Sequence, residues 1–218
     1  MRSAILGGFA ATLLLASAAP ALAAAPVKPL TPAQLREALL APEDLGEDFT
    51  FNEKRNREAL DSGSAHTKKC AKAVKALRPL LRSKTAVFID KEDKPSGVKQ
   101  FVISGAPAEL ASWQQVGKVM VRDCAKVDAS TDDTEETITR LSVGKLGDWA
   151  YGIRYDKTIP EMNPEPIHAV DVVLIRVKNT VMLLVSDGFF ATFDPDLSKQ
   201  AARAAVPKLQ DAQRTISE

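Results

Sequence analysis

One run of residues constrains this chain more than any other. From His168 to Gly188 the sequence reads HAVDVVLIRVKNTVMLLVSDG, the densest apolar stretch outside the N-terminus. Its length and its two short halves around Lys178-Asn179 predict a β-hairpin, with Asn179 as the residue that tolerates the left-handed conformation of a tight turn. An antiparallel sheet with one wet face alternates apolar and polar residues. Here Val170, Val172 and Leu174 are apolar on one set of positions, Val173, Ile175 and Val177 on the other, and Val181 to Val185 is apolar throughout. Both faces of the hairpin therefore need cover, from helices, from other strands or from a ligand. If helices cover one face only, the other is the candidate ligand wall; if they cover both, the expectation of a cleft beside the hairpin loses its best support.

The start of the chain, MRSAILGGFAATLLLASAAPALA, has a positive charge at Arg2, a charge-free apolar segment and small residues around Ala21-Leu22-Ala23. It reads as a secretory signal peptide over residues 1–23, because the apolar part is shorter than the roughly 20 residues a bilayer requires and Pro20 interrupts it. Removal would leave 195 of the 218 residues, enough for a single domain over 31–215 behind a lead-in at 24–30. Loss of Arg2 would bring the formal charge from +1 to zero, which argues against nucleic acid as a general partner. The location expected is secreted and extracellular, with no spanning segment in the mature chain.

In such an oxidising space the two cysteines, Cys70 and Cys124, are expected to pair, although two separate buried thiols would satisfy the same composition. Cys70 lies in the stripe Cys70, Val74, Leu77, Leu81 of a helix expected over 66–82. Cys124 lies in the stripe Leu110, Trp113, Gly117, Met120, Val121, Cys124 of another over 107–127. Both point to a core, the geometry an interhelical disulfide needs. Lys68, Lys72, Lys75 and Arg82 fall on the outer side of the first helix, as a solvated surface or as a basic face for anionic envelope polymers.

Elsewhere Thr31-Pro32-Ala33-Gln34 reads as a capped helix start, and a further helix runs from Pro195 or Asp196 to Arg214. Strands are expected over 48–54, 85–89, 97–104, 137–143 and 149–155. Residues 56–65 and Lys157 to Ile167, the latter with three prolines, read as loops. The fold class expected is α+β: an antiparallel β-sheet packed with amphipathic helices and held by one interhelical disulfide.

Motifs for catalysis are missing. His66 and His168 stand on unrelated elements, and no G-x-S-x-G, H-E-x-x-H, Walker or G-x-G-x-x-G pattern occurs. The acidic groups Asp132, Asp133, Glu135, Glu136 and Asp194, Asp196 have neither the spacing nor the glycine of a calcium loop, so no metal and no cofactor is expected. Trp149, Tyr151 and Tyr155 share one strand face, where they can serve either as core or as the wall of a ligand cleft. Arg176 interrupts an apolar strand face, as a polar anchor, an edge charge or an internal salt-bridge partner.

The ordered landmarks Leu39-Leu40-x-Pro42-x-Asp44-Leu45-Gly46, two helical cysteines, Leu146-Gly147-Asp148 before a strand and Arg176-Val177-x-Asn179 at the hairpin resemble the PknH-like extracellular sensor domains. These occur on actinobacterial receptor serine/threonine kinases and as secreted or lipid-anchored proteins. The resemblance spans about Leu30 to Gln210. It implies an α/β sandwich around an antiparallel sheet, a helix-to-helix disulfide and a cleft for an unidentified ligand. Lys178 stands where that family often has Gly, and one cysteine pair stands where the kinase form has two. Transmembrane signalling is not carried over. The function expected is non-enzymatic capture of a small or apolar ligand in a cleft between the sheet and the Lys157 to Ile167 loop, through Trp149, Tyr151, Tyr155 and Arg176. Alternatives are an envelope structural or protein-interaction module, and thirdly a hydrolase without a recognised motif.

Overall fold

The computed structural model describes residues 28–52, 68–125 and 127–215. The expected signal peptide, most of the lead-in and the loop at 56–65 with His66 lie outside these residues. Eight antiparallel strands form one sheet in the order β1-β2-β3-β8-β7-β6-β5-β4: β1 (Phe49–Phe51), β2 (Ala86–Lys91), β3 (Ser96–Ser104), β4 (Val127–Asp128), β5 (Glu135–Arg140), β6 (Trp149–Ile159), β7 (Asn163–Val177) and β8 (Thr180–Phe189). Four α-helices pack on it: α1 (Pro32–Glu37), α2 (Lys68–Leu81), α3 (Pro107–Val119) and α4 (Leu197–Arg214). The expected α+β class is the one observed.

The apolar hairpin, β7 and β8, occupies the middle of the sheet, and its register explains why it does not alternate. The cross-strand pairs Val173–Leu184 and Ile175–Met182 face α1 and α4, in a core with Leu35, Leu197, Ala201, Ala205 and Leu209. The pairs Val172–Val185, Leu174–Leu183 and Arg176–Val181 face the other way. There Val172, Leu174, Leu183 and Val185 join Cys70, Leu77 and Leu80 of α2 and Leu110 and Trp113 of α3. Each fully buried Val, Leu, Ile or Met contributes roughly 1.5–3 kcal/mol relative to exposure, so a sheet buried on both faces concentrates the fold's stability here. Helices thus cover both faces of the central hairpin, and neither face is a ligand wall.

The helix ends follow their sequence chemistry. Thr31 caps α1 through its side chain and Gln34 returns the bond to the Thr31 amide at 3.0 Å, with Pro32 at the first turn. α3 does not run regularly to 127: it continues from Met120 to Cys124 as a wider π-turn. That turn brings Cys124 to Cys70, and the two form the expected disulfide, with Cα atoms 4.8 Å apart.

Two expectations are corrected. Lys178 (φ 51°), not Asn179, takes the left-handed conformation at the hairpin turn. Asn179 acts through hydrogen bonds: its side chain pairs with Gln213 of α4 and the carbonyl of Lys28, and its own carbonyl accepts from the Gly105 amide at 3.0 Å. Residues 157–167 are no irregular loop either. β6 extends to Ile159 and β7 begins at Asn163, joined by a tight turn at Pro160–Met162. The prolines are tolerated because β8 pairs with β7 only from His168 onward, which leaves Pro164 and Pro166 no partner on that side to deprive of a hydrogen bond.

Candidate functional site

The structure divides the four expected site residues among three environments. Trp149 and Tyr151, two apart on β6, share the face towards α3 with ring centroids 5.3 Å apart. The buried indole N–H of Trp149 has no hydrogen-bond partner among the described residues. Tyr155 lies four residues further along the same strand and packs against the same core, but at its far end. Its ring meets His168 edge-on at 5.8 Å, and His168 stacks flat on Phe189 at 4.3 Å. Burial pushes the His168 imidazole below its ordinary value, partly offset by Asp187 and reinforced by Lys99 and Lys157. Arg176 stands opposite Trp149 in register, but its guanidinium turns to the hairpin end, donating to the Lys178 carbonyl at 2.6 Å and facing Asp148 at 3.6 Å. Its guanidinium is thus engaged within the chain at the partly exposed hairpin end.

The segment 157–167, expected to bound the cleft as a loop, is strand and tight turn. A groove exists instead where the π-turn after α3 crosses the ends of β5 and β6. Its larger compartment, about 380 Å³, is lined by Lys118, Val121, Arg122, Ala125, Arg140 and Tyr151. A second, of about 230 Å³, shares Val121, Arg140 and Tyr151 and continues along the chain at Leu141–Gly144, with Ala150 and Gly152 behind it. Of the four expected residues, Tyr151 alone lines the groove.

Local sequence builds this geometry. Gly117 removes a side chain from α3 where the Tyr151 ring lies, and Gly152 does the same beneath Leu141, whose carbonyl oxygen would be 2.8 Å from an added Cβ. The π-turn carries Val121 and Ala125 over β6, and such turns are over-represented at functional sites. Arg140 ends β5 directly opposite Ile153, on the side facing α3. Arg122 is neutralised by a two-pronged pair with Asp123, at 2.7 and 2.9 Å, and that contact holds its guanidinium above the usual arginine value. Lys118 and Arg140 are exposed and make no ion pair among the described residues. The groove thus combines an apolar wall, a tyrosine ring and two uncompensated positive charges.

Sequence reasoning missed Lys118, Arg122 and Arg140. The available signal was Gly117, a glycine inside a helical stripe, which marks a close approach.

Among the described residues that line the groove none is a carboxylate or an imidazole. No group of three or more His, Cys, Asp or Glu side chains among the described residues comes together as metal ligands would. Glu136 instead pairs with Lys157 at 2.7 Å, and Asp196 with Lys199 at 3.0 Å. No described helix is long and apolar enough to cross a membrane.

On the opposite face Arg154 grips the fully buried Asp171 through two hydrogen bonds, at 2.7 and 2.8 Å, and Ser198 of α4 donates to the same carboxylate at 2.6 Å. This network anchors α4 to the sheet through the buried carboxylate.

No family model matches this sequence, and no curated protein matches it either. Solved structures do. The crystal structure of the extracellular domain of PknH from Mycobacterium tuberculosis superposes with a TM-score of 0.54 at 11% identity, covering 85% of this chain and 99% of that one. An uncharacterised protein from Mycobacterium smegmatis, described as an Rv0999 ortholog, gives a TM-score of 0.48 at 9% identity, over 83% of this chain and 97% of that one. At these identities the PknH likeness is one of fold.

Proposed function

We propose that this chain is an extracellular, non-enzymatic binding domain of the sensor type, which captures a small amphipathic molecule in the groove between the π-turn of α3 and the ends of β5 and β6. The observation that carries the reading is that Lys118 and Arg140, which make no ion pair among the described residues, are set around an apolar wall with Tyr151 as its ring. A concave site of a few hundred Å³, mostly hydrocarbon with a few polar groups, is the usual form of a small-molecule site. The fold shared with an extracellular domain and the leader-like N-terminus support the compartment. Among the described residues the groove lining holds no carboxylate or imidazole, the side chains that most often serve as general acid or base, which supports binding over turnover.

The test is native mass spectrometry of the protein purified from its secreting host, beside an Ala125→Trp variant that fills the groove. A stoichiometric small-molecule adduct in the wild type that disappears in the variant is expected. An adduct that survives Ala125→Trp would remove the groove from the account.

A second reading, an envelope-interaction module, is favoured by α2. Its Cys70, Ala73, Leu77 and Leu80 are buried, while Lys68, Lys72, Lys75 and Arg82 all stand exposed. Charge reversal at Lys68, Lys72 and Lys75 abolishing retention on cell walls would establish it. Unchanged retention would leave that face as solvated surface.

A further inference from the structure

Resting on the groove reading, we propose that the group held at Arg140 is a phosphodiester, which joins an apolar chain on one side to a hydroxyl-bearing head on the other. The groove's two compartments differ in character. One is walled mostly by the hydrocarbon of Val121, Ala125 and Tyr151. The other is mostly polar, formed by Ser142 and the main chain around it as β5 gives way to the turn at Gly144. Arg140 is the one charged residue that lines both.

Charge then selects the ligand's central group. Arg122 is compensated by Asp123, so the positive charge available is that of Lys118 and Arg140. A guanidinium presents a planar fork that fits an anionic oxygen pair, and it holds its charge at every physiological pH. Carboxylates and phosphate monoesters fit that fork, but each is a chain terminus with a single substituent. An anion at the junction of two compartments needs a substituent in each. A phosphodiester is an anion with two arms, one for the apolar wall and one for the polar compartment at Ser142. Lys118, on the apolar side, adds a second charge without closing the path.

The shared chemistry could reach the groove as a lipid or as a soluble phosphodiester, and one experiment separates them. The purified protein is titrated with dihexanoyl-phosphatidylglycerol below its micelle concentration, with calorimetry and tryptophan fluorescence, to which Trp149 tilted against Tyr151 contributes, as readouts. Dihexanoylglycerol, dihexanoyl-phosphatidic acid, the deacylated glycerophosphoglycerol and dioleoyl-phosphatidylglycerol vesicles are run in parallel. The variants are Arg140→Met, Lys118→Met and, as a control for net charge, Lys75→Met on α2. All three side chains are exposed, and matching circular dichroism spectra check the fold.

Saturable binding of the phosphatidylglycerol is expected, at least tenfold tighter than that of the neutral diacylglycerol or the monoester. It should weaken tenfold or more in Arg140→Met, less in Lys118→Met and not in Lys75→Met. Equal binding of the deacylated compound assigns the site to a soluble phosphodiester, and binding of the vesicles assigns it to a lipid. If the neutral diacylglycerol binds as well and Arg140→Met changes nothing, the phosphodiester is overturned while the groove stands. Failure of every phosphodiester to bind overturns it too, and the mass-spectrometric adduct then judges the groove separately.

Discussion

Gly117 on α3 and Tyr151 on β6 are in direct contact, so close that a Cβ at 117 would stand 2.3 Å from Cδ2 of the tyrosine ring. That contact fixes the distance between the π-turn and the sheet, and with it the width of the groove. Gly117→Ala would gain up to about 1 kcal/mol of helix propensity. It would also force the ring or the helix to move, which overpacking studies place at about 1–3 kcal/mol. A net loss of about 1 kcal/mol in urea unfolding is expected. In a Tyr151→Ala background the sign should reverse, and the same substitution should stabilise.

The Cys70–Cys124 bond closes a separation of 54 residues between α2 and the π-turn. Chain entropy alone assigns such a closure about 4 kcal/mol. Unfolding of the protein with and without reductant should differ by up to that amount. Cys70→Ser with Cys124→Ser should match the reduced form.

Lys178 holds a positive φ of 51° in the two-residue turn between β7 and β8, a conformation that disfavours a side chain. Its amide donates to Asp148 at 2.7 Å, and a glycine would retain that bond. Lys178→Gly is therefore expected to raise stability by about 0.5–1 kcal/mol. Thermal unfolding at matched ionic strength measures it.

His168 supplies a pH dependence whose sign follows from its burial. Its imidazole, stacked on Phe189, is held below the ordinary 6.5, so the unfolded chain takes up the proton at higher pH than the folded one. Stability contributed by the neutral ring is complete above about 6.5 and is lost as pH falls through the lower folded value. His168→Phe retains the stack and removes the titration. Urea unfolding between pH 7.5 and 5 should show a shallower decline for the variant than for the wild type.

Much of the fold was legible in the sequence because burial leaves a direct trace there. The hairpin announced itself by failing to alternate, and it lies in the middle of the sheet with helices on both faces. The disulfide was legible because each cysteine sat in a helical apolar stripe. Residues 157–167 were misread because proline breaks a ladder only where a neighbouring strand exists, and on one side of β7 there is none before His168. The site was least legible. Trp149, Tyr151 and Tyr155 do share a face, yet alternation says nothing of distance along a strand, and Tyr155 packs with His168 instead. Lys118 and Arg140 meet only through a π-turn, which local periodicity does not encode, and through a strand 22 positions further on.

A two-dimensional amide NMR titration with dihexanoyl-phosphatidylglycerol reads directly where a ligand settles. Shifts concentrated at 117–125, 140–144 and 150–152, and abolished by Ala125→Trp, are the expected result. Shifts concentrated at the 157–167 hairpin tip or along α2, with the groove amides unmoved, would contradict it.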